Sequence, residues 1–175
     1  TIAREEDGLG IERIVSYARE FGLGAATGID LPEERVGLLP TPEWKERTRH
    51  QKWVGGDTLN IAIGQGDLSV SPLQMADMVA LIANGGTIYK PHLLKETRDP
   101  ASGAVIERVQ PEVLHTSRVS PETWAFVQKA MRGVIAEGTA ASVVNTPAVE
   151  AAGKTGTSET NVEGQWHSWF AAYAP

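Results

Sequence analysis

The chain has 175 residues, enough for one domain with its own core, and its hydrophobic fraction of 41% and charged fraction of 22% are those of a globular protein. A formal net charge of -6 with scattered Lys and Arg argues against a nucleic-acid partner, and the lack of any cysteine excludes disulfide scaffolds, thiolate metal sites and cysteine nucleophiles. No apolar run approaches the roughly 20 residues that cross a bilayer, and the stretch from Thr1 is polar and charged, unlike a signal peptide.

Ile11, Ile14, Val15, Ala18 and Phe21 recur at helical spacing, which predicts an amphipathic helix over residues 10–21 ended by Gly22. Residues 22–40 are rich in Gly and Pro and read as a surface loop. Thr41-Pro42-Glu43 is a cap followed by proline at the first helical position, opening a short helix through Arg47. Basic side chains gather in residues 45–52, and Glu46 with two neighbouring tryptophans makes this a solvated helical face rather than a phosphate-binding stripe.

Residues 58–63 read as extended, closed by Gly64-Gln65-Gly66, with Gln65 expected to hydrogen-bond a backbone turn. Ser71-Pro72-Leu73-Gln74 is a capping box and predicts a helix to Ala83, stopped by Asn84-Gly85-Gly86. Residues 87–89 and 93–97 read as strands, and residues 104–109 as a strand returning through the turn at 99–103. Ser120-Pro121-Glu122 caps another helix, with Trp124, Val127, Met131, Val134 and Ile135 on one face and Gly138 as its stop. Residues 139–145 suit a further short helix. The last third is strand-like over 149–157 and 166–173, joined by a polar loop over 158–165. Trp166 and Trp169, at odd spacing, are expected to pack on opposite sides of their strand. Separated helices with a terminal antiparallel hairpin give an α+β class.

The densest cluster of chemistry is Gly153-Lys154-Thr155-Gly156-Thr157. A phosphate-binding loop ending in Gly-Lys-Thr also needs glycine at position 148, where Ala148 stands, and Gly156 is a poor opening for the helix that must follow. On a strand, the same residues suit a serine acyl-transfer site. Lys154 supplies a cation for a carboxylate, and Thr155 and Thr157 supply hydroxyls on one strand face. Gly156 lets the backbone approach a ligand, and the Thr157 N–H can stabilise an oxyanion. Taken alone, the tripeptide fits an ordinary strand end with an exposed lysine equally well. His50, His92, His115 and His167 stand far apart and form no metal-binding pair; His167 reads as packed or at the surface.

The surrounding segments carry more weight. Ile63-Gly64-Gln65-Gly66-Asp67-Leu68-Ser69-Val70-Ser71-Pro72-Leu73-Gln74-Met75-Ala76 resembles the segment that precedes the Lys-Thr-Gly strand in high-molecular-weight penicillin-binding proteins, closest to the monofunctional class B type. Phe21-Gly22-Leu23-Gly24, Thr27-Gly28-Ile29-Asp30-Leu31-Pro32, Gly37-Leu38-Leu39-Pro40 and Ala83-Asn84-Gly85-Gly86 with Pro91 match in order. So do Gly138-Thr139-Ala140 and the closing Trp169-Phe170-Ala171-Ala172-Tyr173-Ala174-Pro175.

The resemblance implies a penicillin-binding transpeptidase or serine β-lactamase-like fold, an antiparallel sheet flanked by helices. It implies a peptidoglycan D,D-transpeptidase in which a serine of a Ser-x-x-Lys motif attacks the D-Ala-D-Ala bond. Lys154, Thr155, Gly156 and Thr157 would then form the substrate-binding strand, with Lys154 and Thr157 in the catalytic machinery. Implied partners are peptidoglycan stem peptides, β-lactam antibiotics and membrane proteins of cell-wall synthesis; no cofactor or metal is implied. The implied location is the outer face of the bacterial cytoplasmic membrane, held by an N-terminal anchor.

The sequence departs from the family at one point. No serine here has Lys three positions on or Asn two positions on. Residues 1–175 are therefore expected to be a partial transpeptidase domain, inactive alone, with the nucleophile and the Ser-x-Asn motif upstream and the last strand and helix downstream. Such a chain should expose strand edges that invite association. A β-lactamase or β-lactam sensor of the same fold, and a non-catalytic scaffold, are the alternatives.

Overall fold

A computed structural model describes residues 8–160 and 162–175 of the chain. The opening at Thr1, and Asn161 within the polar loop, lie outside the described residues. Helix α1, Gly10–Glu20, ends where the Gly22 N–H donates to Arg19 and the Leu23 N–H to Ala18, with Gly22 in the left-handed region at φ 86°. Helix α2, Pro42–Arg49, runs two residues beyond its expected end, and Thr41 Oγ1 caps it by accepting from the Trp44 N–H at 3.2 Å.

Residues 58–63 are not extended. They fall largely within helix α3, Gly55–Ala62, whose start is held by Asp57 Oδ2 accepting from the Val54 N–H at 2.8 Å. Thr58 and Ile61, three apart on one face, are buried; Ile61 packs with Ile11 and Val15 of α1, and Leu39 and Trp53 close the cluster. Around Gly64-Gln65-Gly66, the Gln65 main-chain N–H donates to Asn60 at 2.8 Å, so the turn is closed by backbone rather than by the glutamine side chain.

Helix α4, Pro72–Ala83, carries the expected capping box, with Ser71 Oγ accepting from the Gln74 N–H and Gln74 Oε1 from the Ser71 N–H. Strands β1, Thr87–Tyr89; β2, Glu96–Arg98; β3, Val105–Arg108; and β4, Val113–Thr116, follow. The β2–β3 hairpin forms as expected, but β4 has no counterpart in the sequence reading and pairs antiparallel with β1 around it. Helix α5, Pro121–Ala136, buries Trp124, Met131 and Ile135. Trp124 joins Leu81 of α4 and Ile88 of β1 in a second cluster, against which Phe21 and Val119 pack.

The short helix α6, Ala141–Val144, leads to the longest pair, β5, Ala152–Glu159, and β6, Trp166–Tyr173. These are antiparallel with unbroken register from Ala152 opposite Tyr173 to Glu159 opposite Trp166. Helix α5 packs on β5 and α4 on β6, so the architecture is α+β with helices against antiparallel strands. Trp166 and Trp169 are 62% and 46% exposed, contrary to the expectation that both pack. Their ribbon has only two strands among the described residues and leaves much of its surface uncovered. No helix among the described residues is long and apolar enough to cross a membrane.

Candidate functional site

The sequence-singled Lys154, Thr155, Gly156 and Thr157 sit together in the middle of β5. One edge of β5 pairs with β6, and among the described residues no strand pairs with the other. Strand alternation puts Thr155 and Thr157 on one face and Lys154 and Gly156 on the opposite face. A ligand touching the ammonium and both hydroxyls must therefore lie along the free edge, where the two faces meet.

Lys154 is exposed, and its ammonium donates to the neighbouring Thr155 carbonyl at 2.7 Å. Among the described residues it forms no ion pair, unlike Lys45, which is bound to Asp57 at 2.6 Å, or Lys90, which is bound to Glu112 at 3.2 Å. An exposed cation without a carboxylate partner stays available to an anionic ligand.

The two glycines of the strand differ. A Cβ on Gly153 would stand 2.8 Å from Ala172 Cβ, 2.9 Å from the Ala171 carbonyl oxygen and 3.0 Å from Phe170 Cζ, so bare backbone here lets the two strands close. A Cβ on Gly156 would meet only Trp169 Cβ, at 3.6 Å, an ordinary contact. The chain's own packing requires the first glycine and not the second. Sequence reasoning assigned the close approach to Gly156 and gave Gly153 no role.

Two further elements hold β5. Arg132 of α5 donates through Nη1 to the Ala151 carbonyl at 3.3 Å, just ahead of the strand. Beyond α5, Thr139 Oγ1 lies 3.1 Å from Thr155 Oγ1. In the sequence Thr139 stands in a matched tripeptide and at the start of the short helix expected over 139–145, and neither signals a contact with β5.

The remaining candidates do not converge on the strand's free edge. His167 shares a face with Lys154 through its register with Ser158, and its ring packs edge-on to Trp169 at 6.5 Å. Trp169 donates through Nε1 to Ser158 Oγ at 3.2 Å. His50 closes α2, and the His92 Nδ1 pairs with the Leu94 carbonyl at 2.7 Å. Among the described residues no group of three or more His, Cys, Asp or Glu is placed to hold a metal ion.

Residues 2–175 match the family model described as penicillin binding protein transpeptidase domain. The chain is 40% identical over 151 residues to the peptidoglycan D,D-transpeptidase MrdA of Acinetobacter baumannii, covering 86% of this chain and 22% of that relative. It resembles, at a TM-score of 0.79 and 39% identity, a chain of a peptidoglycan synthase complex that coordinates polymerization and crosslinking, covering 97% of this chain and 28% of that one. Pseudomonas aeruginosa PBP2 in complex with WCK 5153 matches at a TM-score of 0.76 and 36% identity, over 95% of this chain and 37% of that one. The chain thus spans about a fifth to two fifths of the length of these relatives.

Proposed function

Since the chain belongs to the penicillin-binding protein transpeptidase domain family, we propose that it is the part of a longer peptidoglycan D,D-transpeptidase that presents the Lys-Thr-Gly strand to the substrate. The observation that carries this reading is that Lys154, exposed and without an ion-pair partner among the described residues, alternates with Thr155 and Thr157 along β5, whose second edge pairs with no other described strand.

In this reading a serine supplied from outside the 175 residues attacks the carbonyl of the D-Ala-D-Ala peptide bond. The serine oxygen forms an ester, the C–N bond breaks, and the terminal D-alanine leaves as the amine after taking up a proton. An amine of a neighbouring stem peptide then attacks the ester and releases the serine. Lys154, with the hydroxyls of Thr155 and Thr157, holds the terminal carboxylate by charge-assisted hydrogen bonds. The Thr157 N–H stabilises the oxyanion, and Gly156 leaves room for the substrate backbone. β-Lactams, which carry a matching carboxylate, acylate the same serine.

The strand fixes the acyl donor and the chain alone is inactive, since it holds no Ser-x-x-Lys. In this reading the protein works at the outer face of the cytoplasmic membrane with other cell-wall synthesis proteins, and the synthase-complex relative supports partners of that kind.

Mass spectrometry of the intact full-length protein after penicillin treatment tests this. A stable acyl adduct supports the transpeptidase; rapid loss of the adduct with hydrolysed penicillin indicates a β-lactamase, and no adduct indicates a scaffold. Lys154→Ala in the full-length protein should slow acylation about tenfold or more while leaving the fold intact. Acylation at the wild-type rate removes Lys154 from the site.

A further inference from the structure

The Thr139–Thr155 contact joins a hydroxyl of the proposed carboxylate clamp to a residue outside the motif. Thr139 is held by its neighbours on both sides. The Gly138 N–H donates to the Gly133 carbonyl at 3.0 Å, and a Cβ at Gly138 would fall 2.8 Å from Val134 Cα, so the chain turns tightly against the end of α5. On the other side Ala140 is buried, and its N–H donates to the Val134 carbonyl at 3.1 Å. A threonine between two anchored positions has its backbone fixed, and its β-branched side chain has few rotamers.

Each hydroxyl carries one proton and can accept as well as donate. With no ligand, either threonine can be the donor. A carboxylate only accepts, so binding one removes that ambiguity: the Thr155 proton must point at the ligand, and the Thr139 proton must then point at Thr155 Oγ1. Such a chain polarises its last donor and holds the rotor in the productive direction.

We infer that Thr139 is a positioning residue of the acyl-donor site, acting through Thr155 on the substrate carboxylate. It does not touch the reacting atoms. The inference rests on the proposed carboxylate-binding role of β5, and its test separates the two.

The experiment uses the full-length protein, with benzylpenicillin and its methyl ester as acylating probes. Thr139→Val keeps the shape and removes the hydroxyl; Thr139→Ser keeps the hydroxyl. The second-order acylation rate by benzylpenicillin should fall about three- to tenfold in T139V and stay near wild type in T139S. Acylation by the ester, which has no carboxylate to orient toward, should be the same in T139V and wild type. T139V added to Thr155→Val should cost nothing further. If T155V slows acylation by benzylpenicillin but T139V does not, the inference fails and the carboxylate reading stands. Equal losses for both probes in T139V make its role merely structural and also overturn the inference. If T155V itself leaves acylation by benzylpenicillin unchanged, Thr155 is no carboxylate ligand and both fall.

Discussion

Glu20, at the end of α1, is bound to Arg118, 98 residues further along, by the Arg118 main-chain N–H at 2.6 Å and by its guanidinium at 3.1 and 2.7 Å. The Ser117 hydroxyl adds a bond at 2.7 Å. The carboxylate is buried while the guanidinium is largely exposed, so the pair keeps one charge solvated and surrounds the other with donors. This cluster ties α1 to the segment between β4 and α5, beside the cluster of Leu81, Ile88 and Trp124.

The first prediction follows from that carboxylate. The Arg118 guanidinium foremost, then the Ser117 hydroxyl and the Arg118 N–H, hold Glu20 down at about 2 from an ordinary 4.5, against the cost of burial. A depressed folded-state value means stability that is fully present above about pH 4.5 and is lost as pH falls toward 2. Glu20→Gln should therefore destabilise the domain by about 2–3 kcal/mol at pH 7. The gap between variant and wild type should shrink toward pH 2. Urea unfolding of the full-length protein at several pH values measures this, and a gap independent of pH contradicts it.

Asp77 has the opposite sign. It sits half-buried on α4, and burial first, then the Glu34 carboxylate, pushes it up to about 6 from 3.8. Glu34 stays below the usual carboxylate range despite its own burial, because it accepts from the N–H groups of Thr27 and Gly28. A raised folded-state value means that stability falls as pH rises from about 4 to 6, and above 6 the charged form carries the full penalty. Asp77→Asn should stabilise the domain by about 1–2 kcal/mol at pH 8, allowing for partial exposure to water, and by little near pH 4. Equal unfolding midpoints at pH 8 would count against this account.

Local chemistry explains which elements could be read from sequence. Thr41, Ser71 and Ser120 each precede a proline and cap a helix, and a cap is formed within four residues of chain. Helix α3 escaped because Val54 offers no capping oxygen; its start is held from inside by Asp57, which Lys45 of α2 also binds. Strand β4 escaped because its four residues are all exposed and its partner β1 lies across the β2–β3 hairpin, a pairing that no local pattern signals. Gln74 was legible as a cap and illegible as a strut. Its side-chain amide is fully buried and donates to the carbonyls of Ala25 and Val36, 49 and 38 residues earlier, pinning the Gly- and Pro-rich loop. The Lys-Thr-Gly segment was legible as a strand from the matched segments around it, since the tripeptide alone fits an ordinary strand end equally well. The Thr139 contact was not, since it depends on where α5 packs against β5.

The two glycines of β5 give the last prediction, because one is demanded by folding and the other is left free. Gly153→Ala forces a methyl group against Ala172 and the Ala171 carbonyl, at distances below 3 Å. The strands must part to accept it, at about 1–3 kcal/mol, and Lys154 moves with the backbone that carries it. Gly156→Ala meets only Trp169, at 3.6 Å, and removes a flexible residue from a strand interior. Its stability should stay within about 0.5 kcal/mol of wild type or rise slightly. Penicillin acylation of the full-length G156A protein should nevertheless slow by about tenfold or more if the strand binds as proposed, since the added methyl stands beside the free edge along which the ligand would lie. Thermal unfolding and acylation rates measured on both variants separate the cases. G156A that unfolds like wild type and also acylates like wild type would mean that no ligand approaches the strand at Gly156.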